Sequence, residues 1–164
     1  MSTRVADVTK CLRSIRSLLC RATSVVGVIQ VRREVLDAIV QEAVRAYPLE
    51  ACGLISGPII GTDSDLAVAF HRCNNTAESA RVYTIDPKDH LRIEREVDDH
   101  DHEVIGVVHS HTHSEPFPSP TDVGQAPDPG WHYIIVSLKR EAPEMRCYQI
   151  VEGEISEEPI ELVD

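Results

Sequence analysis

The sequence lacks the features that mark membrane proteins and nucleic-acid-binding proteins. No apolar run approaches the roughly 18 residues that a membrane span needs. The chain has 16 Lys and Arg against 27 Asp and Glu, a formal charge of −11. A nucleic-acid-binding protein needs a basic face to replace counterions, and this acidic balance does not supply one. We therefore expect no nucleic-acid partner and no membrane partner.

A disulfide framework is also not expected. The chain has five cysteines, an odd number, and none forms a C-x-x-C pair. The beginning of the chain has no continuous apolar segment of the kind found in secretory signals. We therefore expect a reduced protein in the cytoplasm. A length of 164 residues suits a single domain with a core of its own.

Positive charge is concentrated at the start of the chain. Residues 1–27 hold five basic residues and one acidic residue, a net charge of +4, so the other 137 residues carry −15. We expect residues 1–26 to form a basic, flexible N-terminal extension, either a solvated tail or an amphipathic surface helix. The single folded domain is expected over residues 27–164.

Hydrophobic periodicity predicts a mixture of strands and helices. Apolar residues at positions 36, 39, 40, 43 and 47 recur at helical spacing, and this helix is expected to end at Tyr47, before Pro48. Asp86-Pro87 begins a second helix, because Asp is a good N-cap and proline suits the first helical position. Thr121 is expected to cap a short helix near Asp122. The predicted strands cover residues 25–31, 51–55, 66–71, 104–108, 133–136, 145–151 and 154–162. The mixture predicts an α/β or α+β fold.

Two histidines at the end of the most apolar strand suggest a metal site. Side chains two residues apart on a strand point to the same face, so His109 and His111 can present two imidazoles to one point. Neutral imidazole is a preferred zinc ligand, and a third protein ligand leaves the fourth position open for water. Glu115, His113 and Asp122 each offer that third ligand.

The same region allows two other interpretations. Glu115 as third ligand would give a cupin-like metal site, but a cupin needs a second motif, and His132 is poorly spaced for it. Cys52 lies two residues from Glu50 and so invites comparison with a cysteine nucleophile. Its apolar setting favours a buried, inert thiol instead.

Five polar positions then match a known pattern. His109-Ser110-His111 is followed after seven residues by Ser119 and then by Asp122, and Glu50-Ala51-Cys52-Gly53 lies upstream. Together they resemble the JAMM (MPN+) motif of zinc metalloproteases that act on ubiquitin and ubiquitin-like proteins. The resemblance covers roughly residues 27–163. It is closest to short bacterial members of the CysO-cysteine peptidase (Mec) type.

The resemblance implies a fold and a set of roles. The family fold is a mixed curved β-sheet flanked by helices, related to the cytidine deaminase architecture. By the motif, His109, His111 and Asp122 would hold one Zn²⁺ per chain. Glu50 would accept a proton from the attacking water, and Ser119 would hydrogen-bond the developing oxyanion.

The resemblance also implies a substrate class. The expected partner is a ubiquitin-like sulfur-carrier protein ending in Gly-Gly, from which the enzyme would release a C-terminal cysteine for cysteine biosynthesis. Alternatives are an isopeptidase acting on lysine conjugates, a non-catalytic MPN scaffold and a cupin-like metal-binding protein. Residues 76–86, including Arg81, Val82 and Tyr83, are the expected strand edge for the substrate tail, and His113 is expected to line the cleft. Related domains often form homodimers.

Overall fold

The described part of the chain is an α+β domain, as the sequence predicts. The computed structural model describes residues 27–59 and 65–164, so the predicted extension over residues 1–26 lies outside the described residues. Within those residues the elements are β1 (Ile29–Arg32), α1 (Arg33–Ala46), β2 (Cys52–Pro58), β3 (Leu66–Ala67), β4 (Ala69–Cys73), α2 (Pro87–Asp98), β5 (His102–His111), α3 (Pro120–Gly124), β6 (His132–Ser137), β7 (Glu144–Val151), β8 (Glu154–Glu158) and β9 (Ile160–Val163).

The strands form two sheets of unequal size. The larger sheet has the order β4-β2-β5-β6-β7-β8, and the smaller has the order β3-β1-β9. Only the β5–β6 pair is parallel in the larger sheet, whereas both pairs of the smaller sheet are parallel. None of the helices in the described ranges has the length and apolar character to cross a membrane.

The central strands of the larger sheet are buried on both faces, which explains the unbroken apolar runs of β5 and β6. One face packs against α1 and the smaller sheet, with Val108 and Ile134 in that cluster. The other face packs under α2, with Val107 and Ile135 in the second cluster. Alternate residues of each central strand therefore enter different cores.

Two predicted strands are each divided between the two sheets. The predicted strand 66–71 is two strands, because β3 pairs in the smaller sheet and β4 in the larger. Between them the Val68 N–H donates to the Ser56 carbonyl (2.9 Å). The predicted strand 154–162 is divided between β8 and β9 at Pro159, which has no N–H for a ladder bond. The chain thus changes sheet at both places.

The helix ends agree with the prediction, but the buried face of α1 differs. α1 ends at Ala46, before Pro48, and the Asp86 carboxylate caps α2 by accepting the Lys88 N–H (2.9 Å). The predicted apolar face is rotated: Val35 and Glu42 are buried, whereas Tyr47 is exposed. Burial of Glu42 is possible because its carboxylate accepts two hydrogen bonds from Arg45, both 2.7 Å.

An ion network lies at the beginning of β6, around His132. The His132 ring contacts Glu158 through Nδ1 (2.6 Å) and Asp65 through Nε2 (3.1 Å). Both His132 and Glu158 are buried. Asp65 directly precedes β3 of the smaller sheet and Glu158 ends β8 of the larger sheet, so this network joins the two sheets.

Candidate metal centre

The end of β5 carries two histidines on one face of the larger sheet. His109 and His111 follow Val107 at alternate positions, so all three side chains point to the α2 side. Both histidines are buried. The distance between their Nε2 atoms is 3.1 Å.

The short helix α3 brings Asp122 to the same point. Ser119, not Thr121, is its N-cap: the Ser119 Oγ accepts the Asp122 N–H (3.2 Å), and Asp122 Oδ2 accepts the Ser119 N–H (2.6 Å). This reciprocal arrangement is a capping box, and it fixes the Asp122 carboxylate. Asp122 Oδ1 lies 3.5 Å from His109 Nε2, and Oδ2 lies 3.6 Å from His111 Nε2.

These three side chains have the spacing and chemistry of a zinc site. Their ligand atoms all lie within 4.8 Å of one another. A tetrahedral ion with bonds of about 2.0–2.1 Å has neighbouring ligand atoms about 3.3–3.4 Å apart. The separations of 3.1, 3.5 and 3.6 Å bracket this value. Two imidazoles and one carboxylate make up a catalytic zinc set, which keeps a fourth position for water.

The hydrogen bond made by His111 Nδ1 also favours metal binding through Nε2. Its Nδ1 lies 2.8 Å from the Glu115 carbonyl, which can only accept, so Nδ1 carries the proton and Nε2 keeps a lone pair. Burial lowers the pKa of His109, which favours its neutral, metal-binding form. Burial would do the same for His111, but hydrogen bonds to Asp122 and Glu115 raise its pKa. The negative charge of Asp122, which helps to raise the pKa of His111, would also stabilise a divalent cation.

Strand pairing places Glu50 beside the two histidines. The β2–β5 register ends with Cys52 opposite His109, and continuing it by two residues leads to Glu50 on one side and to His111 on the other. Ala51 and Ser110, between these pairs, exchange two hydrogen bonds: the Ser110 N–H donates to the Ala51 carbonyl (3.0 Å), and the Ala51 N–H donates to Ser110 Oγ (2.8 Å). The E-A-C-G segment is thereby fixed against the strand that carries the two histidines.

The surroundings of Glu50 suit a general base. Its side chain is 4% exposed. Burial raises its pKa to about 7; the nearby His111 opposes this shift and the Asp122 carboxylate adds to it. A carboxylate with a pKa near neutrality both accepts and returns a proton efficiently.

A cleft of about 650 Å³ opens onto these groups. It is lined by Glu50, Ala80, Arg81, His111, His113, Ser114 and Ser119. The oxygen of Ser119 accepts a hydrogen bond within the capping box, and among the described residues its hydrogen has no acceptor. The hydroxyl is therefore free to donate into the cleft.

The four predicted substrate-binding residues occupy different places. Arg81 and His113 line the cleft, whereas Val82 and Tyr83 do not. The Tyr83 ring stacks on the His109 ring at a centroid distance of 4.4 Å and so restricts the orientation of this imidazole. Residues 76–84 form no regular strand. The Thr76 N–H donates a hydrogen bond to the Thr84 carbonyl across the loop (2.8 Å). This segment is a loop closed by an antiparallel bridge between Asn75 and Ile85, and its pairing with a substrate tail stays a prediction.

The rival residues are engaged elsewhere. The Glu115 carboxylate, considered above as a third ligand, is bonded to Lys139 and Arg140, both at 2.7 Å. These partners lower its pKa to about 2. The prediction that Cys52 is a buried thiol is confirmed, since it is 1% exposed and burial raises its pKa to about 12. Such a thiol is a poor nucleophile at neutral pH.

A second buried cluster of possible metal-binding groups has a different character. His132, Cys147 and Glu158 also lie within 4.8 Å of one another. Here, however, both ring nitrogens of His132 face carboxylates at hydrogen-bonding distance. Burial would lower the pKa of His132, but the bonds to Asp65, Cys147 and Glu158 raise it to about 11. We describe this cluster as an imidazolium between two carboxylates.

Two residues that hold the site together were not found from the sequence. One is Ser110, whose hydroxyl accepts the Ala51 N–H. The other is Asn75, whose side-chain amide donates to the Glu50 carbonyl (2.9 Å) and whose side-chain oxygen accepts the Ala77 and Thr84 N–H groups (3.0 Å each). Asn75 follows a strand, where asparagine commonly organises turns, and this was the available signal.

Comparison with known proteins identifies relatives of the whole domain. A family described as prokaryotic homologues of the JAB domain matches residues 32–151. The CysO-cysteine peptidase of Mycobacterium tuberculosis is 36% identical over 140 residues, which cover 85% of this chain and 94% of that protein. The desampylase of Haloferax volcanii is 35% identical over 91 residues, 55% of this chain and 63% of that protein.

Comparison with solved structures finds proteins of similar fold. A protein of Desulfitobacterium hafniense has a TM-score of 0.74 at 28% identity, covering 83% of this chain and 93% of its own. A JAB1/MPN domain protein from Archaeoglobus fulgidus has a TM-score of 0.52 at 24% identity, covering 82% of this chain and 97% of its own. The second similarity concerns the fold alone.

Proposed function

This chain belongs to the prokaryotic homologues of the JAB domain, and on that premise we propose that it is a zinc-dependent metallopeptidase. Its substrate would be a ubiquitin-like sulfur-carrier protein, cleaved after the C-terminal Gly-Gly with release of cysteine. The observation that carries the proposal is the convergence of His109, His111 and Asp122 beside the buried Glu50 in one cleft. The similarity to a CysO-cysteine peptidase over 94% of its length supports the substrate class.

The chemistry needs one metal ion and two protein side chains. When bound by His109, His111 and Asp122, zinc supplies Lewis acidity, which lowers the pKa of a water molecule to about 7 and polarises a carbonyl. Glu50 accepts the proton of the attacking water and delivers it to the departing amine. Ser119 donates its free hydroxyl hydrogen to the oxyanion that develops on the scissile carbonyl.

The balance of the reaction is that of an ordinary hydrolysis. The amide C–N bond after the second glycine breaks. The water oxygen becomes part of the new glycine carboxylate, and the amine of the released cysteine takes the proton. No oxidant or reductant is needed. A reducing cytoplasm, our proposed location, agrees with the buried free thiols of Cys52, Cys73 and Cys147.

A direct test uses a carrier protein with one cysteine added after Gly-Gly. The zinc-loaded chain should lower the mass of this adduct by one cysteine residue, and a chelator should stop the reaction. An isopeptidase is the second candidate, because the chain is also similar to a desampylase. Cleavage of a lysine conjugate but not of the cysteine adduct would favour it. Inertness of the zinc-loaded chain toward both substrates would refute catalysis and favour a scaffold.

A further inference from the structure

We infer that Arg81 makes this site selective for a leaving group with a free α-carboxylate, so that the enzyme removes a single C-terminal amino acid. This inference rests on the proposed function and deepens it. It concerns the side of the cleft that receives the released residue, rather than the carrier tail.

Arg81 lies in a loop that is hydrogen-bonded to both sides of the active site. The Glu50 N–H donates to the Ser79 carbonyl (2.9 Å), and the Thr112 hydroxyl donates to the Ala80 carbonyl (3.0 Å). The Arg81 N–H donates to Ser79 Oγ (3.1 Å). The backbone that carries Arg81 is therefore fixed relative to the general base and to the residue that follows His111.

The charges in the cleft leave Arg81 without a counterion. Among the described residues that line it, Arg81 is the only one with a permanent positive charge, and Glu50 is the only acidic one. The Arg81 side chain is exposed, and within the described ranges it has no ion-pair partner. An unpaired guanidinium in a cleft is suited to bind a carboxylate through two parallel hydrogen bonds.

His113 does not compete for this role. The Thr112 hydroxyl gives its hydrogen to the Ala80 carbonyl, so its oxygen accepts the hydrogen on His113 Nδ1 (2.7 Å). When His113 is neutral, the proton is then on Nδ1 and Nε2 is an acceptor. An acceptor repels a carboxylate, which leaves Arg81 as the group that attracts it.

The position of a carboxylate distinguishes the possible leaving groups. In a single amino acid the carboxyl carbon is about 2.5 Å from the nitrogen of the scissile bond, since only Cα lies between them. A longer peptide has a neutral amide there, and a lysine joined through its side-chain nitrogen has only methylene groups. Because Arg81 and Glu50 line the same cleft, we expect Arg81 to favour the first over the other two.

The experiment compares three forms of one carrier. Mycobacterial CysO is joined after Gly-Gly to cysteine, to cysteine carboxamide, or to the side-chain nitrogen of lysine, and each is incubated with the zinc-loaded full chain. We expect kcat/KM for the free acid to exceed that for the carboxamide by about 10- to 100-fold, the size of one charge-assisted contact. Arg81→Gln should lower kcat/KM for the free acid by about 10- to 100-fold more than that for the carboxamide, which abolishes the preference, and Arg81→Lys should restore part of it.

Controls separate this inference from the proposed function. Arg95→Gln, an exposed arginine of α2 outside the cleft lining, should leave the preference unchanged. In the Glu50→Gln background, calorimetry should show the same acid-over-amide preference in binding, and Arg81→Gln should remove it. Equal cleavage of acid and carboxamide by the wild type, or an equal effect of Arg81→Gln on both, overturns the role of Arg81. Cleavage of none of the three substrates overturns the proposed function itself.

Discussion

Replacement of His132 by glutamine should make the stability of this domain much less dependent on pH between 7 and 9. The His132 ring is 3% exposed and bridges Asp65 and Glu158. Its pKa of about 11 in the folded chain compares with about 6.5 for an unperturbed histidine. Between these values the folded chain holds a proton that the unfolded chain has released. The stabilisation is therefore fully present below about pH 6.5 and is lost as the pH rises toward 11.

The magnitude follows from this difference of one bound proton. The free energy of unfolding should fall by at most about 1.4 kcal/mol per pH unit, or about 2.7 kcal/mol between pH 7 and pH 9. At pH 7 the variant itself should be less stable by about 3–5 kcal/mol, because Glu158 remains buried without its cation.

Urea unfolding at several pH values measures both quantities. Cysteines 52, 73 and 147 have raised pKa values in the folded chain, so they also reduce stability at high pH. They are present in both proteins, and the difference between wild type and variant removes their contribution. Parallel stability curves for the two proteins between pH 7 and 9 would refute the buried imidazolium.

The remaining predictions concern the metal centre. Asp122→Asn should lower zinc content measured by elemental analysis, whereas Glu115→Gln should not; the opposite pattern would restore the cupin-like site. Glu50→Gln should retain zinc and lower kcat by about 10²–10⁴-fold, and full turnover would remove Glu50 from the mechanism. Ser119→Ala should lower kcat by about 10²–10³-fold with little change in KM, as expected for a group that binds the oxyanion. Thiol alkylation should leave hydrolysis intact, since Cys52 is buried; inactivation without unfolding would contradict this.

Local sequence patterns predicted the elements better than the sheets they join. The helix starting at Asp86 and the strands around Val107 and Ile135 were predictable from capping and apolar runs. The divided strands were not, because each reads as one continuous segment. Which sheet Leu66 and Phe70 join depends on partners distant in sequence, and period-two alternation carries no such information.

The candidate site shows the same division between local and distant information. The spacing of His109 and His111 indicates two ligands on one strand face without any further knowledge. Glu50 and Asp122 come from other elements, and only the resemblance to a family singled them out. The role of Ser110 was not predictable from local sequence, because its hydroxyl holds the backbone of Ala51, which lies 59 positions away.

The capping box of α3 bears on how the proposed site would bind a metal ion. Asp122 Oδ2 is already held by the Ser119 N–H, and the His111 ring is already turned by the Glu115 carbonyl. Capture of an ion would therefore require almost no ordering of the chain and would cost little conformational entropy.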